Sequence, residues 1–135
     1  EISKKEQGLC LGLYKKRDFS RLSDVLNALI DEHPQSFFCY QLRAAARSSM
    51  DNLLGAIDDF RRALQLNPNF YQAYYNLGVI LKKLRKTEES IEVFKSGLNI
   101  NPNFLPLRHN LGAILIEVGK SKEAINLLNK TKKCS

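Results

Sequence analysis

The stretch Pro68–Pro102, PNFYQAYYNLGVILKKLRKTEESIEVFKSGLNINP, decides how the rest of the chain is read. Its opening phrase, Asn67-Pro68-Asn69-Phe70, returns at its end as Asn101-Pro102-Asn103-Phe104, 34 residues later. Another step of 34 back from Pro68 reaches Pro34, so three of the four prolines keep one period. A fixed period of this length marks a chain built by stacking one supersecondary unit. The 135 residues divide into windows 3–36, 37–70, 71–104 and 105–131, followed by a tail, 132–135.

Within a window the apolar spacing is helical. Leu77, Ile80, Leu81 and Leu84 recur at i, i+3, i+4 and i+7, and Ile91, Phe94 and Leu98 continue the pattern in a second helix. Arg85-Lys86-Thr87 separates the two, with Thr87 expected as N-cap ahead of Glu88 and Glu89. In the last window Gly119 is the expected helix stop and Ser121 the next cap. Each proline closes a second helix because it cannot extend it. Asn69 and Asn103 are then expected to cap the following first helices, and Pro106 fits a first turn, where its missing N–H costs nothing. The expectation is an all-α chain of eight antiparallel helices.

Setting the windows in columns shows how the pairs pack. Cys10, Ala44, Gly78 and Gly112 form a column of small residues, and Leu26, Phe60, Phe94 and Leu128 a column of large ones. Leu22, Ala56, Ser90 and Ala124, and Leu29, Ala63, Gly97 and Thr131, form two more. Small residues admit close helix approach while large ones fill the space beside them. Two columns break in the second window, where Arg43 stands among Leu9, Leu77 and Leu111, and Arg47 among Leu13, Leu81 and Leu115.

These residues resemble the tetratricopeptide repeat, a helix–turn–helix unit of the same period. Tyr74, Leu77, Gly78, Ser90, Phe94, Gly97 and Pro102 follow its pattern in order, as do Tyr40, Ala44, Ala56, Phe60, Ala63 and Pro68. Leu111, Gly112 and Ala124 match in the last window, whereas the first matches least, with Glu6 in place of an aromatic. The resemblance implies a right-handed superhelical solenoid whose first helices line a concave groove. A variant of the repeat pairs Arg at the place of Arg43 with Asp at the place of Asp59, which implies an ion pair between those two residues. In stacked repeats the column of Leu64 and Leu98 faces the following unit, and the last window holds Lys132 there. Because an unpaired buried Lys is costly, the array is expected to end near residue 131.

Charge and cysteine content narrow the function. The net charge of +7 rises along the chain, from zero in residues 1–36 to +4 in 105–135. A basic surface attracts acidic peptides, phosphates or nucleic acid; alternatively it solvates the outside of a solenoid. Cys10, Cys39 and Cys134 lack metal-ligand spacing, which suggests reduced thiols and a cytoplasmic setting, with Cys10 and Cys39 as core packers. No run approaches a membrane-spanning length, and no signal-type segment opens the chain. The absence of an initial Met suggests a piece of a longer protein. His33 and His109 have no Cys or carboxylate at ligand spacing, and the glycines form no phosphate loop. The reading is therefore no catalytic residues, no cofactor and no metal.

Binding is the positive reading. The groove positions that the resemblance implies include Phe38, Gln41, Tyr75, Asn76, Lys82, Lys83, His109 and Asn110. Tyr75, Phe38 and His109 would supply contact area, and Lys82 and Lys83 a bias toward acidic ligands. Asn76 and Asn110 recur 34 residues apart and suit an extended peptide backbone, which related arrays grip with an asparagine ladder. Alternatively the pair joins neighbouring helices. A carboxylate clamp for chaperone tails does not fit, because the required cations are missing from either starting repeat. The expected partner is a protein or peptide, with no membrane, and self-association stays open. The second possibility is a substrate-recognition arm of a larger glycosyltransferase, sulfotransferase or hydroxylase. RNA binding is disfavoured by the lack of a recurring base-reading pair.

Overall fold

The computed structural model describes the backbone of residues 1–133 and side chains through residue 129. It holds eight helices: α1 Lys4–Lys15, α2 Phe19–Glu32, α3 Phe37–Ser49, α4 Leu53–Leu66, α5 Tyr71–Lys83, α6 Thr87–Ile100, α7 Leu105–Glu117 and α8 Ser121–Lys133. They group into two compact units, Glu1–Pro68 and Asn69–Ser135. In the first, α1 pairs with α2 and α3 with α4, and α2 packs on α3; in the second, α5 pairs with α6 and α7 with α8, and α6 packs on α7.

One turn recurs inside every pair. Arg17, Asp51, Arg85 and Gly119, one 34-residue step apart, all have positive φ, at 59°, 63°, 61° and 83°. Each ends its helix with a left-handed residue followed by a reversed hydrogen bond. The N–H groups of Asp18, Asn52, Lys86 and Lys120 donate to the carbonyls of Leu13, Arg47, Leu81 and Leu115 at 3.0, 2.8, 2.9 and 2.7 Å. This is the Schellman arrangement, which satisfies the last carbonyls of the helix. The same donor residue then starts the next helix, so one residue closes α1 and opens α2. Asp18 and Asn52 complete the cap by accepting from the N–H groups of Arg21 and Gly55 at 3.3 and 3.2 Å. Lys86 has no acceptor to offer, and α6 starts without a side-chain cap.

These turns correct two expected caps. Thr87 and Ser121 are the first helical residues rather than N-caps, because the left-handed residue places the cap one position earlier. Gly119 is the helix stop that was expected. Asn69 and Asn103 do not cap the first helices either. The N-cap positions of α5 and α7 are Phe70 and Phe104, neither with a side-chain cap. At Phe104 ring packing takes the place of capping: it meets Tyr71 edge-on at 5.0 Å and Tyr75 at 5.6 Å. Ser36 and Ser3 do cap α3 and α1, and Glu6 completes a capping box with Ser3.

The expected columns pack largely as read. Cys10, Ala44, Leu26, Phe60 and Phe94 are buried, and Gly78 is required: a Cβ there would lie 2.3 Å from Cε1 of Phe94. Ser90 replaces the usual alanine without a penalty because its Oγ donates to the Gly78 carbonyl at 2.8 Å. Two columns depart at their ends. Leu9 is 56% exposed on α1, which no earlier helix covers among the described residues, and Leu128 on α8 is 37% exposed. Cys10 and Cys39 lie fully buried in the core of the first unit, and burial pushes both thiols above their ordinary pKa. The backbone of α8 continues past residue 131 to Lys133. The readings of Lys132 and Cys134 fall outside the described side chains.

The implied ion pair forms in the second window and recruits Arg47 as well. Arg43 Nε and Nη2 reach the two carboxylate oxygens of Asp59 at 2.9 and 2.8 Å, and Arg47 Nη1 adds a third contact at 2.9 Å. Asp59 is 3% exposed, so three charge-assisted hydrogen bonds from two guanidinium groups compensate its burial. Those bonds raise the Arg43 pKa above its ordinary value, against the opposing effect of burial.

Candidate functional site

In the second unit α5 and α7 both run antiparallel to α6, and the candidate residues of this unit lie on them. Tyr75 and Val79 on α5 are partly buried against the core of the unit. The Tyr75 ring is held edge-on to Phe104 at 5.6 Å and tilted against Phe94 at 6.5 Å, so it forms a fixed wall. Asn76 and Asn110 are half-buried, and His109 is exposed. No hydrogen bond among the described residues engages either asparagine amide, so neither holds neighbouring helices together through one. At the C-terminal ends of the same helices, Lys82 Nζ lies 3.6 Å from Glu117 Oε1, while Lys83 is exposed.

The other two expected residues belong to α3 in the first unit. Phe38 is half-buried against that unit's core, and Gln41 is half-buried as well. The N-terminus of α3 is covered by Glu1, whose carboxylate accepts from Ser36 Oγ and, at 3.3 Å, from the N–H of Phe38. Burial would raise the Glu1 pKa, but these hydrogen bonds outweigh it and hold the carboxyl below its ordinary value.

Three features escaped the sequence reading. Glu117 lies within ion-pair distance of Lys82, an exposed contact that tempers the basic bias expected at this face. Arg108 on α7 is 4% exposed in the column of Tyr40 and Tyr74, where its long stem stands in for an aromatic ring. A cleft of about 330 Å³ lies among α6, α7 and α8, walled by Leu98, Leu111, Leu115 and Leu127. The Lys95–Glu123 pair, at 3.0 Å, stands at its edge.

No group of His, Cys, Asp and Glu able to hold a metal ion occurs among the described residues. No described helix is long and apolar enough to cross a membrane.

Comparison with known proteins agrees with this geometry. Residues 50–85 match the TPR repeat model, and residues 71–104 match the tetratricopeptide repeat model. The peroxisomal targeting signal receptor of Saccharomyces cerevisiae is 36% identical over 73 residues, which cover 53% of this chain and 12% of the receptor. The tetratricopeptide repeat and J domain-containing co-chaperone DNJ1 of Cryptococcus neoformans is 34% identical over 71 residues, covering 53% of this chain and 14% of that protein. The chain thus spans only a small part of the curated relatives it matches. Among solved structures, MamA superposes with a TM-score of 0.87 at 22% identity, over 95% of this chain and 75% of that one. MamA from Desulfovibrio magneticus RS-1 gives 0.82 at 18% identity, covering 95% and 72%. At such identities the likeness concerns the helical solenoid fold alone. Residues 50–104 are thus tetratricopeptide repeats by matched sequence, and the eight described helices share the helical-pair architecture.

Proposed function

We propose that this chain is a protein-interaction module that takes an extended peptide against the α5–α7 face of its second unit. The observation that carries the reading is the pair Asn76 and Asn110, half-buried amides one repeat apart with no hydrogen bond to the rest of the described chain. Neither amide is sealed from solvent, so both are open to the donor and acceptor that a peptide backbone offers. Tyr75 adds a rigid apolar wall, and His109 further contact area. The preference for acidic ligands rests on Lys83, together with Lys82 when a ligand carboxylate displaces Glu117; an exposed pair of that kind is held weakly. In the first unit Phe38 and Gln41 are the corresponding contact residues. A reducing, cytoplasmic setting belongs to the same reading and is supported by the free, buried thiols of Cys10 and Cys39. The names of the relatives, a targeting signal receptor and a co-chaperone, also point to polypeptide ligands.

The test selects peptides on the protein from a random display library and measures their affinity for Asn76→Ala and Asn110→Ala. Each substitution is expected to cost about 0.5–1.5 kcal/mol of binding, a loss of roughly 2- to 13-fold. Unchanged affinity in both variants would remove the asparagines from the reading.

A further inference from the structure

One edge of the second unit is set apart by charge. Arg85 and Lys86 in the α5–α6 turn, Lys120 in the α7–α8 turn and Lys122 at the start of α8 are all exposed. The 3.6 Å contact between Lys82 Nζ and Glu117 Oε1 ties the last turn of α5 to the last turn of α7, which brings the two turns side by side. Among the described residues none of these four cationic side chains enters an ion pair or hydrogen bond. Two of the nearby acids are committed elsewhere, Glu117 to Lys82 and Glu123 to Lys95. The equivalent α3–α4 turn has no such excess, since it carries Asp51 and Asn52 where Arg85 and Lys86 stand.

We propose that this edge is a second docking surface, distinct from the α5–α7 face, and that its partner is an acidic polypeptide segment rich in Asp and Glu. Four exposed cations along two adjacent turns, none ion-paired among the described residues, raise the local concentration of an anionic chain and orient it. The chemistry around them selects among anions. Leu84, Thr87, Val118, Gly119 and Ser121 are their neighbours, with no aromatic ring on which a base could stack. Val118 in the turn, at 39%, and Ile116 in the last turn of α7, at 54%, are the strongly exposed apolar side chains here, too few to anchor in a lipid headgroup layer. Glu88 sits beside Lys86 and disfavours a uniformly dense polyanion. A peptide with discrete carboxylates on flexible side chains can address the lysines and avoid Glu88.

The test uses a fluorescein-labelled peptide of alternating Glu and Asp, read by anisotropy against the intact chain. Wild-type protein should bind it with affinity that falls as salt rises. The charge-reversed variant Arg85→Glu/Lys86→Glu/Lys120→Glu/Lys122→Glu should bind about tenfold more weakly or worse, with unchanged helical circular dichroism. Should reversal disturb folding, Lys120→Gln/Lys122→Gln gives the same reading at about threefold. The charge-reversed variant should keep wild-type affinity for the peptides selected on the α5–α7 face, which separates the two surfaces. Equal affinity of wild type and the reversed or neutralised variant overturns the proposal. So does tighter binding to a single-stranded oligonucleotide or to phosphatidylserine vesicles than to the peptide at the same salt.

Discussion

Replacing Asp59 with Val tests what the ionic cluster of the second repeat contributes. The equivalent positions in the other repeats hold Val25, Val93 and Leu127, while leucine stands at the places of Arg43 and Arg47. The second repeat has therefore exchanged an apolar triad for an acid and two arginines. Asp59→Val alone leaves two guanidinium groups facing an apolar side chain, with 17% and 28% of their side-chain surface exposed. Removing one partner of a buried pair costs about 3–5 kcal/mol; partial solvation of both arginines puts this case at about 3 kcal/mol. The triple variant Arg43→Leu/Arg47→Leu/Asp59→Val restores the apolar triad and removes every stranded charge. It forfeits the 2.9 Å hydrogen bond from Arg43 to Asn27 and the stacking of Arg43 on Tyr40 at 5.7 Å. Those losses are about 1 kcal/mol each at exposed sites, and regained burial offsets them. The expected order is triple variant within about 1 kcal/mol of wild type, and the single variant about 3 kcal/mol below both. Urea unfolding followed by circular dichroism measures this, provided the slope is equal across the variants. A triple variant as unstable as Asp59→Val would show that the cluster is irreplaceable and that the apolar column does not transfer to this repeat.

Two further predictions follow from the turns and the small-residue column. Arg85 holds a left-handed conformation at φ 61° without a compensating contact from its side chain, so Arg85→Gly should stabilise the chain by about 0.5–1 kcal/mol; Gly119→Ala, at φ 83°, should destabilise it by a similar amount, and a thermal melt reads both. Gly78→Ala forces a Cβ against the Phe94 ring and should cost about 1–3 kcal/mol, and adding Phe94→Leu should return part of it, since the last repeat already pairs Gly112 with Leu128; no recovery in the double variant, measured by denaturation, would refute direct overlap as the cause.

The legible part of this molecule lay in residue identity. The prolines and the columns of Gly78, Phe94 and their equivalents specify a helical pair every 34 residues, because volume complementarity must be met wherever two helices touch. Of the candidate site, the sequence indicated which residues recur one repeat apart on successive first helices: Tyr75 with His109, and Asn76 with Asn110. It did not indicate that Glu117 reaches Lys82, since ion pairs between exposed side chains depend on the registry of α5 against α7 and leave no periodic trace. Nor did Asn69, Asn103, Thr87 and Ser121 reveal that capping would fall elsewhere, although each is a good capping residue taken alone.

The turn within each helical pair divides what the chain encodes locally from what the fold imposes. Arg17, Asp51, Arg85 and Gly119 have nothing in common as side chains, yet share one backbone conformation. Composition determined that a break occurs there. The tertiary structure decided its geometry, because returning the second helix onto the first requires the chain to reverse in two residues. A left-handed residue is the conformation that does so while still satisfying the last carbonyls of the helix.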